Sequence, residues 1–402
     1  MSNSFKKNFI ISIIYSISIY YVWKFGILYS YSLRPSVSDG RLYIFADWAA
    51  MIKLSICNKL GFDVFNKNEC TREILDNGNI ILLIPFFKPF TKFYFYILPL
   101  IIDFIFIFYL VRSINPKKIL DYLLLLLILI SPPVLLVLER GNLDILIFLG
   151  ILLIVYFNKS FINFITILIL SLIKYYPLTL IINFFIGKEY NFKKNIFALF
   201  IFILCFTFAA YFLGENFELL IRKLKVFSIT WGNQFSVKAL SIIAKNHLKN
   251  ESIYIIISSY LFFFILTTIH LIKFKKINFL NHLKLENHDE RLFIIGANLT
   301  ITLFIFLANI HYKEIFLILL LPLLIRLKNS DINIFKYFFY FTIGRLIFFI
   351  FSNYFILFKK ILLLLYIKAL IDLFYVSFLT AMIILMNLAI LKIILFKPVT
   401  KS

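Results

Sequence analysis

The chain has 402 residues, 62% of them apolar and 19% aromatic, well above the ~45–50% apolar content of a soluble domain, and this excludes a soluble globular fold. Its formal charge of +22 does not mark a nucleic-acid binder. The lysines gather at the ends of apolar stretches, where they anchor helices in a membrane interface, so membrane lipids are expected as partners and nucleic acid is not.

In chain order, the first apolar stretch, Asn8 to Ser30, follows Lys6 and Lys7. It is longer than a signal-peptide core and lacks a small-residue cleavage site, so it reads as an uncleaved helix. Tyr94 to Val111, Ile119 to Leu138 and Ile253 to Ile272 each approach the ~20 residues a helix needs to cross ~30 Å of hydrocarbon. Backbone in lipid must satisfy its own hydrogen bonds, and short alternating strands are absent, so the spans are helical. The expected fold is an all-α polytopic membrane protein, one integral domain over 1–402, with about ten transmembrane helices.

One segment does not fit a single crossing. FINFITILILSLIKYYPLTLIINFFI, residues 161–186, holds Lys174 and Pro177 at its middle. Read as one span, it would put the basic loops KEYNFKK and KFKKINFLNHLK outside, against the positive-inside rule. Read as a re-entrant helical hairpin, it leaves those loops and both termini cytoplasmic, in the cytoplasmic (inner) membrane. The outer face then receives loop 31–92, ERGNLD, loop 214–251 and NIHYKE. A half-helix of about 13 residues climbs ~20 Å, which buries Lys174 toward the outer side.

The polar motifs gather on that face. In the first loop, Asp39, Asp47, Asp63 and Glu69 stand among aromatics, and Asp47 opens ADWAAMIKLSI, whose spacing suits a helix lying along the membrane. A partly desolvated carboxylate there is a general base for a sugar hydroxyl; a helix cap or a solvated acid is the plainer reading of any one of them. Cys57 and Cys70 share this loop and are expected to form a disulfide, worth roughly 3 kcal/mol in loop entropy; two unpaired thiols are the alternative. In ERGNLD, Gly141-Asn142 is turn chemistry, and Arg140 either snorkels to the interface or offers its planar fork of donors to a phosphate, with Glu139 and Asp144 orienting it. Lys174 in KYYP has the same alternatives, snorkelling past the tyrosines or meeting a lipid phosphate. Trp231, Asn233 and Gln234 can stack and hydrogen-bond a sugar or cap helices, and His311 and Tyr312 start a late span. Asp103, Arg345, Lys368 and Asp372 fall inside apolar stretches and read as internal ion pairs rather than a transport pathway. No cofactor and no metal are expected: Gly-rich phosphate loops, HExxH and clustered His/Cys ligands are missing.

Taken in order, an acidic first outer loop, an RGN turn, KxYP between two short apolar stretches, a GNQ-S turn and a late His-Tyr resemble glycosyltransferase family 87, multi-pass enzymes of the C superfamily. The segment CNKLGFDVFNKNEC resembles a subgroup of that family, with Glu69 where Pro is expected. The resemblance implies inverting transfer of a hexose or pentose from a polyprenyl-phosphate sugar to a glycan or glycolipid acceptor at the outer face. Asp47 matches the family's base, and Asp39 competes with it. Arg140 and Lys174, with Tyr176 beside them, match the donor-phosphate positions, and His311 a late histidine near the reaction centre. Asn142, Asn233, Gln234 and Tyr312 are the sugar or acceptor contacts. A polysaccharide polymerase and a lipid or polysaccharide flippase are the competing functions.

Overall fold

The computed structural model describes residues 3–24, 44–66, 69–71, 78–83, 88–157, 160–185, 192–213, 235–237, 240–241, 252–273, 287–306, 311–328, 333–359 and 362–396. Among them there are helices and turns and no strand. In order they are α1 (Asn3–Lys24), α2 (Ala46–Lys59), α3 (Leu98–Ile114, preceded by a π turn over Phe93–Ile97), α4 (Ile119–Leu129), α5 (Pro132–Arg140), α6 (Asp144–Phe157) and α7 (Ser160–Ile173). A 3-10 segment over Tyr176–Phe185 leads to α8 (Phe192–Phe212), α9 (Ser252–Lys273) and α10 (His288–Phe306). Short 3-10 turns also lie at Asn79–Leu83 and Lys88–Phe90, and the second long 3-10 segment, His311–Leu320, runs into α11 (Leu321–Leu327), followed by α12 (Asn333–Lys359) and α13 (Leu362–Phe396).

Among the described residues four helices are long and apolar enough to cross a membrane: Phe93–Ile114, Tyr254–Ile272, Ile334–Ser352 and Tyr366–Leu388. A fifth results if α4 and α5, bent by 52° at Ser131-Pro132, count as one span. The chain therefore has the make-up of a multi-pass membrane protein, and other apolar helices among the described residues fall short of that length or hydropathy. The apolar helices α6 and α7 have only 14 residues each, and α1 and α10 mix polar residues into their apolar runs, Asn8, Ser12 and Ser16 in one, His288 to Arg291 in the other.

The helices place polar groups at two ends of the bundle. At one end Lys7 donates to the Pro116 carbonyl (2.9 Å), the His288 ring lies 4.1 Å from that of Tyr156, and Arg326 meets Glu290 (2.8 Å) and Asp289 (3.4 Å). The 19 residues of α10 carry the chain ~28 Å to the other end, where the His311–Leu320 segment begins. The chain also turns back at Lys174. The Ile173 carbonyl accepts from Gly78 N–H, and the Leu213 carbonyl from the neighbouring Asn79 amide (both 2.9 Å), so α7 and α8 finish at the same end. Since α8 has 21 residues and is ~31 Å long, the chain must travel back between Lys174 and Phe192.

The second 3-10 segment lies at the centre. Ile315 and Phe316 are fully buried, and a Cβ on Gly296 of α10 would stand 2.7 Å from the Leu319 Cβ and 2.9 Å from the Phe316 carbonyl oxygen. Its Glu314 binds Arg345 of α12 (2.5 Å), which also binds Asp372 of α13 (2.6 Å), with Lys368 3.7 Å from that carboxylate. The guanidinium lies over the rings of Phe349 (4.9 Å) and Tyr375 (5.0 Å). The expected internal pairing holds for Arg345, Lys368 and Asp372 but not for Asp103. Neither Asp103 oxygen has a hydrogen-bond partner among the described residues, because the nearby Tyr15 hydroxyl donates to the Leu129 carbonyl instead (2.6 Å).

Gly296→Val should lower the stability of the detergent-solubilised chain by about 1–3 kcal/mol through overpacking against backbone, read as a drop in thermal midpoint. Gly344→Ala, where an added Cβ meets nothing within 4 Å, should leave it equal or higher.

Candidate functional site

The site begins with how α5 ends. Gly141 takes the left-handed conformation, φ 57°, and Asn142 N–H returns to the Val137 carbonyl (3.1 Å), a helix stop that favours glycine. Space demands glycine as well, since a Cβ at Gly141 would stand 3.1 Å from the Trp48 Cβ and 3.2 Å from the Phe45 Cβ. The bare turn lets the start of α2 lie directly on it. Phe45, itself left-handed at φ 65°, donates its N–H to the Glu139 carbonyl (2.7 Å), and Trp48 Nε1 donates to the Tyr94 carbonyl (2.8 Å). The first-loop helix is thereby seated with Trp48, Met51 and Ile52 in the core, rather than lying loose on a membrane surface.

Seating α2 brings Asp47 to the turn. Arg140 Nε and Nη2 both contact Asp47 Oδ1, at 2.7 and 2.5 Å, and Asn142 Nδ2 donates to Oδ2 at 2.6 Å. The other side of the Asn142 amide faces inward: its Oδ1 accepts from the Asp144 N–H (3.0 Å) and from Lys174 Nζ (3.1 Å). Asp144, first residue of α6, has its Oδ1 bound by Lys174 Nζ (2.7 Å) and the Tyr176 hydroxyl (2.6 Å). A carboxylate suits that helix start. Its Oδ2 is buried without a hydrogen-bond partner among the described residues.

The cluster has two layers. Side chains of Arg140 and Asp47 are 30% and 23% exposed, whereas those of Lys174 and Asp144 are 13% and 0% exposed. Asn142 joins the layers. Behind the inner layer, Lys313 Nζ sits 5.2 Å from the centre of the Tyr176 ring and Phe316 meets the same ring edge-on at 5.9 Å, so the second 3-10 segment backs the site. Chemically, the arrangement offers a half-open carboxylate able to take a proton, with two bases held by acids at hydrogen-bond distance.

Five of the residues singled out in the sequence, Asp47, Arg140, Asn142, Lys174 and Tyr176, therefore share one hydrogen-bonded chain. The pairing differs from the expected one. Arg140 takes Asp47, and Asp144 takes Lys174, because α6 points its first side chain into the bundle and α2 brings Asp47 over the turn. Asp144, expected beside Arg140, holds Lys174 instead, and Lys313 is not among the site residues expected from the sequence. Asp63 is occupied in a turn of its own, accepting from Phe65 N–H (2.8 Å) and Asn66 Nδ2 (2.7 Å). Cys57 and Cys70 are joined, with Cα atoms 5.8 Å apart, beside Leu54 and Val64. Asp39, Asn233 and Gln234 lie outside the described residues, as do the side chains of His311 and Tyr312. Among the described residues no group of His, Cys, Asp and Glu could hold a metal.

Fold and site together define a multi-helix membrane protein with a charge-paired polar cluster at one end of its bundle. Comparison with protein-family models, with curated proteins and with solved structures gives no match.

The two ion pairs should differ sharply in stability. Asp47→Ala breaks a part-exposed pair and should cost about 0–1 kcal/mol. Asp144→Ala strands a buried ammonium and should cost about 3–5 kcal/mol, measured as loss of thermal midpoint or of monodisperse protein in detergent.

Proposed function

We propose that the chain is an inverting membrane glycosyltransferase similar to family 87 of the C superfamily. It moves a hexose or pentose from a polyprenyl-phosphate sugar to a glycan or lipid acceptor at the extracytoplasmic face. In this reading it sits in the cytoplasmic membrane with about ten crossings, both termini cytoplasmic, and residues 161–186 entering and leaving from the cytoplasmic side as a hairpin.

The observation that carries the reading is convergence. A first-loop carboxylate meets a guanidinium and an amide 93 and 95 residues away, and these meet the ammonium and phenol of KYYP. The singled-out carboxylate, guanidinium, amide and ammonium meet at one end of the bundle, which favours an enzyme over a transporter, whose substrate site lies near the midplane.

Asp47 is the base. As the acceptor oxygen attacks the anomeric carbon, its proton passes to Asp47, the anomeric C–O bond breaks, and that electron pair leaves with the polyprenyl phosphate, which goes from monoanion to dianion. Lys174, aimed by Asp144 and Tyr176, and Arg140 face the phosphate. Asn142, with Asn233, Gln234 and Tyr312, contacts sugar or acceptor, and His311 borders the centre. The reaction needs neither metal nor cofactor.

The test is transfer from labelled undecaprenyl- or decaprenyl-phosphate sugar by the full chain in nanodiscs. Asp47→Asn should slow it about a hundred- to ten-thousandfold, and Arg140→Ala and Lys174→Ala should abolish it while leaving membrane insertion intact. Full activity in both of the latter overturns the assignment. A polysaccharide polymerase would show no transfer from this donor in the unmodified chain.

A further inference from the structure

We infer that Arg140 serves Asp47 and the lipid phosphate in turn: it is the counter-ion of the base before proton transfer and becomes a ligand of the leaving phosphate after it. This rests on the proposed glycosyl transfer and adds a coupling between its two halves.

The geometry separates the two bases of the site by how readily each can change partner. Lys174 is held at 2.7 Å by a fully buried carboxylate. Breaking a pair of that kind leaves an uncompensated charge in a low-dielectric interior, which is strongly unfavourable. Arg140 is different. Its pair with Asp47 is part-exposed on both sides, where water and ions compete and the net strength of such pairs is small. Of the two cations, Arg140 is the one that can move at little cost.

The contacts also say what makes it move. Two guanidinium nitrogens, Nε and Nη2, bind the same oxygen, Asp47 Oδ1, while Oδ2 is held separately by Asn142 Nδ2 at 2.6 Å. A proton arriving on Oδ1 removes the charge that this contact pairs with Arg140 and occupies the oxygen it contacts, yet the Asn142 hydrogen bond keeps the carboxyl in place. Charge balances through the step. Before it, Asp47 and the phosphodiester each carry one negative charge. After it, Asp47 is neutral and the polyprenyl phosphate carries two. The negative charge facing Arg140 thus passes from carboxylate to phosphate, and a guanidinium, whose fork of donors suits phosphate oxygens, follows it. Asp47 in its ionised form weakens phosphate binding by retaining Arg140, so the donor is not trapped before the acceptor arrives.

The consequence is counter-intuitive and measurable: removing the base should tighten binding of the product lipid. The full chain in phosphatidylcholine nanodiscs is titrated with undecaprenyl phosphate, with undecaprenol and with inorganic phosphate. Asp47→Asn should bind undecaprenyl phosphate about tenfold more tightly than the unmodified chain, the size expected for one charge-assisted contact. Asp47→Ser should shift in the same direction, and adding Arg140→Ala to Asp47→Asn should erase the gain. Equal or weaker binding by both Asp47 variants, at thermal midpoints matching the unmodified chain, overturns the inference, as does a gain that survives Arg140→Ala. A gain for inorganic phosphate without one for the lipid also overturns it, assigning the site to a free anion. If the unmodified chain binds undecaprenyl phosphate no better than undecaprenol, the proposed function itself falls, which is a separate outcome from failure of the coupling.

Discussion

The side-chain amide of Asn142 is the joint on which the polar end of this protein depends. Its nitrogen donates to Asp47, and its oxygen accepts from Lys174 and from the Asp144 backbone. One planar group thus links the first-loop helix, the turn before α6 and the end of α7. A carboxylate could not donate at one edge, and an aliphatic side chain could do neither. Gly141 makes the arrangement possible by letting α2 approach to van der Waals distance, so the residue pair that ends α5 both stops a helix and organises four side chains.

Charge is arranged in depth. The buried layer keeps its ion pair because separating it is costly in an apolar interior, and it is further fixed by the Tyr176 hydroxyl and by the 3-10 segment behind. That segment is fixed in turn by Glu314, through Arg345, to α12 and α13. The C-terminal helices, distant in sequence from every residue of the site, thereby support its inner wall. The outer layer is part-exposed instead, which in the proposed reading suits a group that exchanges protons.

Much of this was legible in residue order. Lys174 with Pro177 between two short apolar stretches points to a break in the span, and α7 ends at Ile173 just before them. Two cysteines in a polar loop pointed to a cross-link. The polar motifs named candidates that the fold brings within hydrogen-bond reach. Which acid would hold which base was not legible, because α6 turns Asp144 inward to Lys174 and the partner of Arg140 arrives from a helix whose position depends on a missing Cβ. Apolar content by itself does not count membrane crossings. Apolar content marks burial as readily as it marks lipid contact, and α6 and α7 are apolar but short.

That shortness affects the surrounding bilayer. Helices of 14 residues reach ~21 Å, against a hydrocarbon layer of ~30 Å, and their exposed faces, including Leu153, Phe161, Ile165 and Ile169, are fully greasy. Lipid meeting so low a wall accommodates the mismatch by thinning. In the proposed reading, headgroups that sink beside α6 and α7 toward the level of Asp144 and Lys174 spare a long-tailed amphiphile from being lifted out of its leaflet for its polar end to arrive there.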